Sequence, residues 1–223
     1  IVNDCGAQVF ITSHYKADQA AEIVEDTPGV RLRLMLDGVV DGYESYEDTV
    51  ALQSDEPLTN RIGGTDMLYS SGTTGRPKGV LPSVPTEPLE TRALPGTTTA
   101  SVLGLVVGMQ RVLFGMDDTK TYLSPAPMYH AAPLRFSLAA QALGATVVAM
   151  EQFDAERFIE FIERYQATHT QVVPTMFVRM LKLPEEARAR YDVSSLECCV
   201  HAAAPCPIPV KQAMIEWWGP VIH

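Results

Sequence analysis

Short strand-like stretches alternate with helix-like stretches along this chain. Runs of apolar or alternating residues predict strands at residues 8–12, 30–36, 121–124, 145–150, 170–173 and 197–200. Between several of them, apolar residues recur at helical spacing, which predicts helices over residues 100–111, 133–143, 155–165 and 209–218. Strands separated by helices favour an α/β fold with a largely parallel sheet and flanking helices.

Capping residues mark several helix ends. Asp154 is predicted to cap a helix whose apolar face carries Phe158, Ile159, Ile162 and Tyr165. Asp18 is predicted to cap a shorter helix that runs to Glu25. Further stop and start signals are Gly144, Pro174, Pro209 and Gly219. Residues 145–150 form a continuous apolar run of the kind found in buried parallel strands. In the last helix, Trp217 lies on the apolar stripe and Trp218 lies beside it.

Composition and charge narrow the class of protein. The 223 residues, 46% hydrophobic and 20% charged, have the composition of an ordinary globular domain. A formal net charge of −10 argues against non-specific nucleic-acid binding, which requires clustered Lys and Arg. We therefore predict no nucleic-acid partner.

Neither a zinc site nor a membrane span is predicted. The four cysteines form no CxxC pair, and Cys198 and Cys199 fall in an apolar stretch typical of a core, which favours a reducing cytoplasm. The most apolar windows, residues 100–109 and 142–150, are shorter than the roughly 20 residues that span a bilayer. Peripheral membrane contact and oligomeric state stay open.

A glycine-rich segment at residues 69–79, Tyr-Ser-Ser-Gly-Thr-Thr-Gly-Arg-Pro-Lys-Gly, carries the strongest chemical signal. Glycines let backbone N–H groups approach a ligand, hydroxyls donate to phosphate oxygens, and a lysine adds positive charge. The candidate polyphosphate-binding residues are Ser70, Ser71, Gly72, Thr73, Thr74, Gly75 and Lys78. The order of residues is not that of a Walker A loop, and the chain contains neither GxGxxG nor GxSxG. A flexible Ser/Thr/Gly hairpin without a ligand is the alternative.

This segment resembles the phosphate-binding signature of the adenylate-forming superfamily, which includes acyl-CoA synthetases, peptide synthetase adenylation domains and luciferases. Three further stretches resemble motifs of that superfamily and follow in the expected order. The resemblance implies that Tyr129 and His130 line and gate the acid site, and that Val173, Pro174 and Thr175 border it. It also implies that the backbone of Ala202, Ala203, Ala204 and Pro205 packs against adenine.

The resemblance implies an activity and its cofactors. A carboxylic acid would react with ATP to give an acyl-adenylate, and coenzyme A would then form the thioester. Lys78, Thr73 and His130 are the implied catalytic residues. The glutamate that holds Mg²⁺ is expected outside this chain, so no metal ligand is predicted within it. Residues 1–223 are predicted to be an incomplete AMP-binding N-terminal domain, truncated at both ends, without the C-terminal domain and inactive alone.

Two departures and several alternatives accompany this hypothesis. His201 and Ala202 stand where the superfamily usually has Ser and Gly, which affects the adenine pocket. The apolar residues 100–111 and 173–176 favour a medium or long fatty acid over an amino acid. A carrier-protein-loading adenylation enzyme and a non-catalytic ATP- or acyl-binding module are the alternatives.

Overall fold

The computed structural model describes residues 1–59, 64–70, 75–82, 84 and 102–223. The chain divides into two compact units, Ile1–Thr91 and Arg92–His223. Both contain parallel sheets with flanking helices, which confirms the predicted α/β class. Among the residues described, no helix has the length and apolar character needed to cross a membrane.

The first unit begins with a small parallel sheet. Its strands, in spatial order, are β1 (Val9–Ser13), β2 (Leu32–Leu36) and β3 (Glu44–Ser45). Helix α1 (Ala17–Glu22), preceded by a single 3₁₀ turn, and helix α2 (Tyr46–Ala51) accompany them. The prediction for α1 is wrong in detail, because Lys16 is its N-cap, Asp18 lies in its first turn and the helix ends at Glu22.

The first unit also contains a β-hairpin. Strands β4 (Leu68–Ser70) and β5 (Lys78–Val80) pair in antiparallel register, with Ser70 opposite Lys78. The glycine-rich segment therefore connects two paired strands.

The second unit is a parallel α/β layer structure. Its strands are β6 (Thr121–Ser124), β7 (Thr146–Ala149), β8 (His169–Val172) and β9 (Cys198–His201), and the spatial order is β7-β6-β8-β9. Its helices are α3 (Val102–Leu113), α4 (Ala131–Ala142), α5 (Ala155–Tyr165), α6 (Pro174–Leu181), α7 (Glu185–Arg188) and α8 (Ile208–Trp218). Residue Ile222 also forms a parallel bridge with Cys199.

Side chains alternate between the two faces of this sheet. We call the face that carries Tyr122 and Val147 the Tyr122 face, and the opposite one the Leu123 face. Helix α4 covers the Tyr122 face, where Phe136 packs against Tyr122. Helices α5, α6 and α8 cover the Leu123 face and form the larger core.

Local capping signals are confirmed. The Asp154 carboxylate accepts hydrogen bonds from the backbone N–H groups of Glu156 and Arg157 at the start of α5. Pro174 occupies the first turn of α6. Gly144 and Gly219 adopt positive φ values of 85° and 82° just beyond α4 and α8, a conformation that glycine adopts without strain.

Several burial predictions are wrong. Strand β7 is parallel, but it lies at the edge of the sheet and is partly exposed, because β6 is its only partner among the strands that the structure describes. Tyr165 is 38% exposed at the end of α5. Trp218, rather than Trp217, is the buried tryptophan of α8. The helix predicted over residues 100–111 corresponds to α3, where Leu105 and Val112 are exposed.

Candidate functional site

The hairpin of the first unit fixes both ends of the glycine-rich segment. Ser70 and Lys78 form its last strand pair, and both side chains are exposed. Gly75, inside the connection, has a φ of +84°, which favours glycine. Within the described part of the chain, no carboxylate lies within ion-pair distance of Lys78. Its exposed ammonium group lies at the end of the segment that is predicted to bind phosphate.

The other face of the hairpin explains the glycine at position 79. Gly79 lies opposite Tyr69, and a Cβ added there would lie 2.9 Å from the Tyr69 Cζ atom and 2.5 Å from the Met67 Cε atom. The Tyr69 hydroxyl donates to Asp4 Oδ2 at 2.5 Å, and this hydrogen bond raises the pKa of Tyr69 to about 12. Tyr69 thus packs over the glycine and links the hairpin to the start of the chain.

Four further residues are predicted to bind phosphate. Ser71, Gly72, Thr73 and Thr74 lie outside the described residues. Their roles stay predictions.

In the second unit, three predicted motifs follow adjacent strands at one edge of the sheet. Strand β6 leads to Tyr129 and His130, β8 leads to Val173, and β9 leads to Ala202. Because β6, β8 and β9 are parallel neighbours, the motifs share the carboxyl edge. Ligands bind preferentially at this edge in open α/β sheets.

The topology also identifies a crevice at this edge. From β6 the chain crosses to β7 through α4 on the Tyr122 face, and it returns through α5 on the Leu123 face to β8, on the other side of β6. The chain leaves β6 towards β7 and leaves β8 towards β9, in opposite directions, so the order reverses between β6 and β8. Such a reversal opens a crevice between the loops of the two strands. Here those loops carry the predicted acid-binding residues.

Tyr129 and His130 form a ring pair on the β6 side of this crevice. Their ring centroids lie 4.5 Å apart at 54°, and the Tyr129 side chain is 74% exposed. His130 is the N-cap of α4, and its backbone N–H donates to the Pro127 carbonyl at 3.1 Å. The exposed aromatic–imidazole pair is thus held by a defined backbone turn.

On the β8 side, a helix start presents the second set of predicted residues. Val173 is the N-cap of α6, Pro174 is buried in the first turn, and Thr175 is exposed. The Thr175 hydroxyl is therefore exposed at the edge, whereas Pro174 lies beneath the surface, and the contact of both residues with the acid stays a prediction.

The segment after β9 has one strained residue. Ala202 donates its backbone N–H to the Val172 carbonyl at 3.1 Å, which continues the pairing between β8 and β9. Ala203, Ala204 and Pro205 are exposed, and Ala203 has a φ of 71°, an unfavourable value for a residue with a Cβ. Ala202 does not share that positive φ, so its Cβ meets no such backbone penalty.

His201 is the last residue of β9. It stands at the position where the superfamily named above usually has serine. Its ring packs edge-on against Phe177, with centroids 6.0 Å apart. Burial lowers the pKa of His201, and the positive charge of Lys211 lowers it further. At neutral pH the ring therefore adds a neutral aromatic surface beside the motif.

Sequence reasoning missed a group of buried polar residues on the Tyr122 face. Gln110, Tyr122, Ser124 and Gln171 are each at most 2% exposed. Two features of the sequence could have indicated this group. One is a glutamine within the apolar stretch 102–113, and the other is the alternation of Tyr122 with Ser124 in one strand. The group becomes evident only when α3 is placed against the sheet.

No metal centre can be assembled from the residues that the structure describes. Among them, no group of three or more His, Cys, Asp or Glu side chains could hold an ion. No residue is therefore assigned to magnesium.

Comparison with known proteins gives a consistent family. The AMP-binding enzyme family matches residues 1–223. The Humulus lupulus protein named Probable CoA ligase CCL5 is 31% identical over 172 residues, which are 72% of this chain and 28% of that protein. The Arabidopsis thaliana peroxisomal OPC-8:0-CoA ligase 1 is 28% identical over 194 residues, 82% of this chain and 32% of that protein. The chain thus spans about a third of the length of these relatives.

Solved structures agree on the fold. The amide bond synthetase McbA from Marinactinospora thermotolerans superposes with a TM-score of 0.74 at 25% identity, covering 96% of this chain and 39% of that one. A red-emitting luciferase from Phrixothrix hirtus gives a TM-score of 0.77 at 19% identity, covering 100% of this chain and 41% of that one. These structures share the mixed α/β architecture described above.

Proposed function

Because the chain belongs to the AMP-binding enzyme family, we propose that it provides nucleotide- and acid-binding residues for an enzyme that activates a carboxylic acid with ATP. The observation that carries this proposal is the arrangement of three motifs at the carboxyl edge of β6, β8 and β9. The exposed Lys78 at the end of the glycine-rich connection supports it.

Activation solves a defined chemical problem. A carboxylate is a poor electrophile because it is negatively charged and its leaving group would be oxide. In the proposed reaction a carboxylate oxygen attacks the α-phosphorus of ATP, and the bond to the bridging oxygen breaks as pyrophosphate leaves. The acyl-adenylate then has AMP as its leaving group.

The residues of this chain have distinct proposed roles. Lys78, with Ser70 and the predicted donors Ser71, Thr73 and Thr74, stabilises the charge that develops on pyrophosphate. Tyr129 and His130 position the acid at the crevice beside β6, and Val173 and Thr175 limit it beside β8. The segment 202–205 offers exposed backbone and small side chains for close packing against adenine. A magnesium ion would neutralise part of the triphosphate charge, and its carboxylate ligand is predicted outside this chain.

Coenzyme A is the proposed acceptor. Its thiol would attack the adenylate carbonyl, form the thioester and release AMP. The named CoA ligases among the relatives support this choice over a carrier protein. Other relatives are named for 4-coumarate and 2-succinylbenzoate, so membership of the family does not select the acid. The fatty acid predicted from the apolar stretches is one candidate within this range.

ATP–pyrophosphate exchange tests the proposal directly. We would measure it in the complete gene product that carries this chain, with a panel of fatty, aryl and amino acids. We expect exchange that depends on one class of acid and falls at least about tenfold in Lys78→Ala, because one charge-assisted contact in the transition state is lost. Lys182→Ala, an exposed lysine at the end of α6, is the matched control and should retain the wild-type rate.

Two results would contradict the proposal. ATP binding without exchange for any acid would favour a non-catalytic binding module. Equal rates for Lys78→Ala and Lys182→Ala would remove Lys78 from the phosphate site.

A further inference from the structure

Buried polar side chains on the Tyr122 face are of two kinds. In the Tyr122-face cluster, the atoms Gln110 Oε1, Tyr122 Oη, Ser124 Oγ and Gln171 Oε1 have no hydrogen-bond partner within the described part of the chain. Gln110 and Tyr122 line a cavity of about 10 Å³, which has room for one water. Ser137 of α4 is different, because it is 5% exposed and its hydroxyl has a partner outside the helix.

The Ser137 hydroxyl bonds to the turn that precedes α4. Its Oγ atom donates to the Met128 Sδ atom at 3.5 Å. A thioether is a weak acceptor, and a serine within a helix commonly bonds the carbonyl four residues earlier instead. The Ser137 hydroxyl therefore makes a tertiary contact, which joins the buried side of α4 to the loop after β6.

Met128 and Tyr129 are the two central residues of that turn. The backbone N–H of His130 donates to the Pro127 carbonyl at 3.1 Å, which closes a four-residue turn. The Met128 side chain is half-buried, whereas that of Tyr129 is 74% exposed. Met128 thus anchors the turn on its buried side, and Tyr129 projects from it beside the crevice.

Helical spacing explains why Ser137 and Met128 meet. Seven residues separate Ser137 from His130, so two helical turns, about 10 Å, return the chain to nearly the same side of α4. Pro133 and Ala140, four residues before and three after Ser137, are buried too, and Ala140 packs in the core that contains Tyr122. Ser137 therefore faces the sheet, and the Met128 side chain extends along the buried side of α4 to reach it.

The position of the exposed ring pair depends on this turn. His130 forms no side-chain cap hydrogen bond to α4, and its ring contacts the exposed ring of Tyr129. The backbone contributes the bond from His130 to Pro127 and one from the Leu134 N–H to the His130 carbonyl at 3.2 Å. Beyond these bonds, Met128 is the side chain of the turn that reaches a buried polar partner.

We propose that Ser137 is a positioning residue for acid binding. Through its hydrogen bond to Met128, it holds the turn in the conformation that places Tyr129 and His130 beside the crevice. The Ser137 hydroxyl is buried beneath the turn, so it acts through the turn rather than by contact with the acid. The inference rests on the proposed function, in which the ring pair positions the acid.

Variants of both partners test this role in the complete gene product. Ser137→Ala removes the donor, and Met128→Leu removes the acceptor with little change in volume. In ATP–pyrophosphate exchange, we expect each variant to raise the KM for the acid about two- to tenfold, the range for one hydrogen bond, with the kcat and the KM for ATP unchanged. The double variant should be no more impaired than the more impaired single variant, because both substitutions remove the same contact.

Ala140→Gly is the matched control for a loss of stability alone. Glycine destabilises the interior of a helix, and this substitution lies on the same side of α4 as Ser137 but leaves the contact with Met128 in place. It should lower the Tm at least as much as Ser137→Ala does, without raising the KM for the acid.

Amide hydrogen exchange gives a readout that needs no activity. The His130 N–H closes the turn, so it should exchange about two- to tenfold faster in Ser137→Ala than in the wild type, and this increase should exceed that in Ala140→Gly.

The outcomes separate this inference from the proposed function. Wild-type KM values for the acid in Ser137→Ala and Met128→Leu, or an equal rise in Ala140→Gly, overturn the inference but leave acid activation intact. If no acid supports pyrophosphate exchange, the proposed function fails, and the His130 amide then decides whether Ser137 holds the turn. Equal amide exchange rates in Ser137→Ala and the wild type would show that it does not.

Discussion

The strained backbone at Ala203 allows a quantitative test of the segment after β9. A non-glycine residue at positive φ costs roughly 1–2 kcal/mol, and Ala203 has a φ of 71°. Replacement by glycine removes that cost, but it also makes the unfolded chain more flexible, which opposes folding by about 0.4–1 kcal/mol. For Ala203→Gly we therefore expect the free energy of unfolding to rise by about 0.5–1 kcal/mol.

Ala204→Gly is the matched control. Ala204 is the next residue along the chain. Its side chain is exposed, like that of Ala203, but its φ is not positive. Its replacement should only lower the free energy of unfolding, by about 0.4–1 kcal/mol. The difference between the two variants isolates the backbone strain, because the effect on the unfolded chain is common to both. That difference should be about 1–2 kcal/mol, or a Tm separation of roughly 2–8 °C for a domain of this size.

Thermal unfolding followed by circular dichroism measures this separation. Ala203→Gly should melt above the wild type and Ala204→Gly below it. Equal shifts in the two variants would refute the reasoning, since they would show that no strain resides at position 203.

Three other predictions concern the second unit. Phe158→Ala should lower the free energy of unfolding by about 3–5 kcal/mol in denaturant titrations, whereas Tyr165→Ala on the same helix should cost less than about 1 kcal/mol; similar losses would contradict the assigned core. Asp154→Ala should lower the free energy of unfolding by about 1 kcal/mol, whereas Asp154→Asn should lower it by less, because the Asn carbonyl can still accept from the backbone N–H groups. Equal losses in the two variants would argue against the cap. Burial lowers the pKa of His169 below its ordinary value of 6.5, so stability should be full above pH 6.5 and fall below it. Unfolding measured against pH should have a shallower slope in His169→Gln, and a slope unchanged by that substitution would contradict the assignment.

The features that could be predicted from the sequence are those set by neighbouring residues. The cap at Asp154 needs only the two N–H groups that follow within three residues. Pro174 in the first turn of α6 and Gly219 beyond α8 act in the same local way. The structure therefore confirms these three predictions.

Features decided by distant contacts could not be predicted in this way. Helical spacing placed Trp217 on the apolar stripe, but Trp218 is buried because its ring meets Phe158 of α5 and Phe177 of α6. The apolar run at residues 145–150 resembles a central strand, yet the chain crosses back over β6 after β7 and leaves β7 at the edge. Strand order depends on which side each crossover takes, which no single run of residues reveals.

The candidate site shows the same division. Each of its motifs is a contiguous run of residues, so the motifs could be recognised in the sequence. The parallel sheet places three of them at one edge. The Tyr122-face cluster was missed because Gln110 and Gln171 come from separate elements and each follows the pattern of its own element.

The energetics of that cluster require hydrogen-bond partners for its buried polar atoms. An unpaired buried polar atom costs about 1–3 kcal/mol, so four of them would cost roughly 4–12 kcal/mol. That sum is comparable to the whole stability of a typical domain, about 5–15 kcal/mol, so these atoms must be paired in the folded protein. Ser124 and Gln171 lie near the carboxyl edge of the sheet, whereas Gln110 and Tyr122 share the deeper cavity. One water-sized group in that cavity can donate to the Gln110 carboxamide oxygen and accept from the Tyr122 hydroxyl, which pairs both atoms.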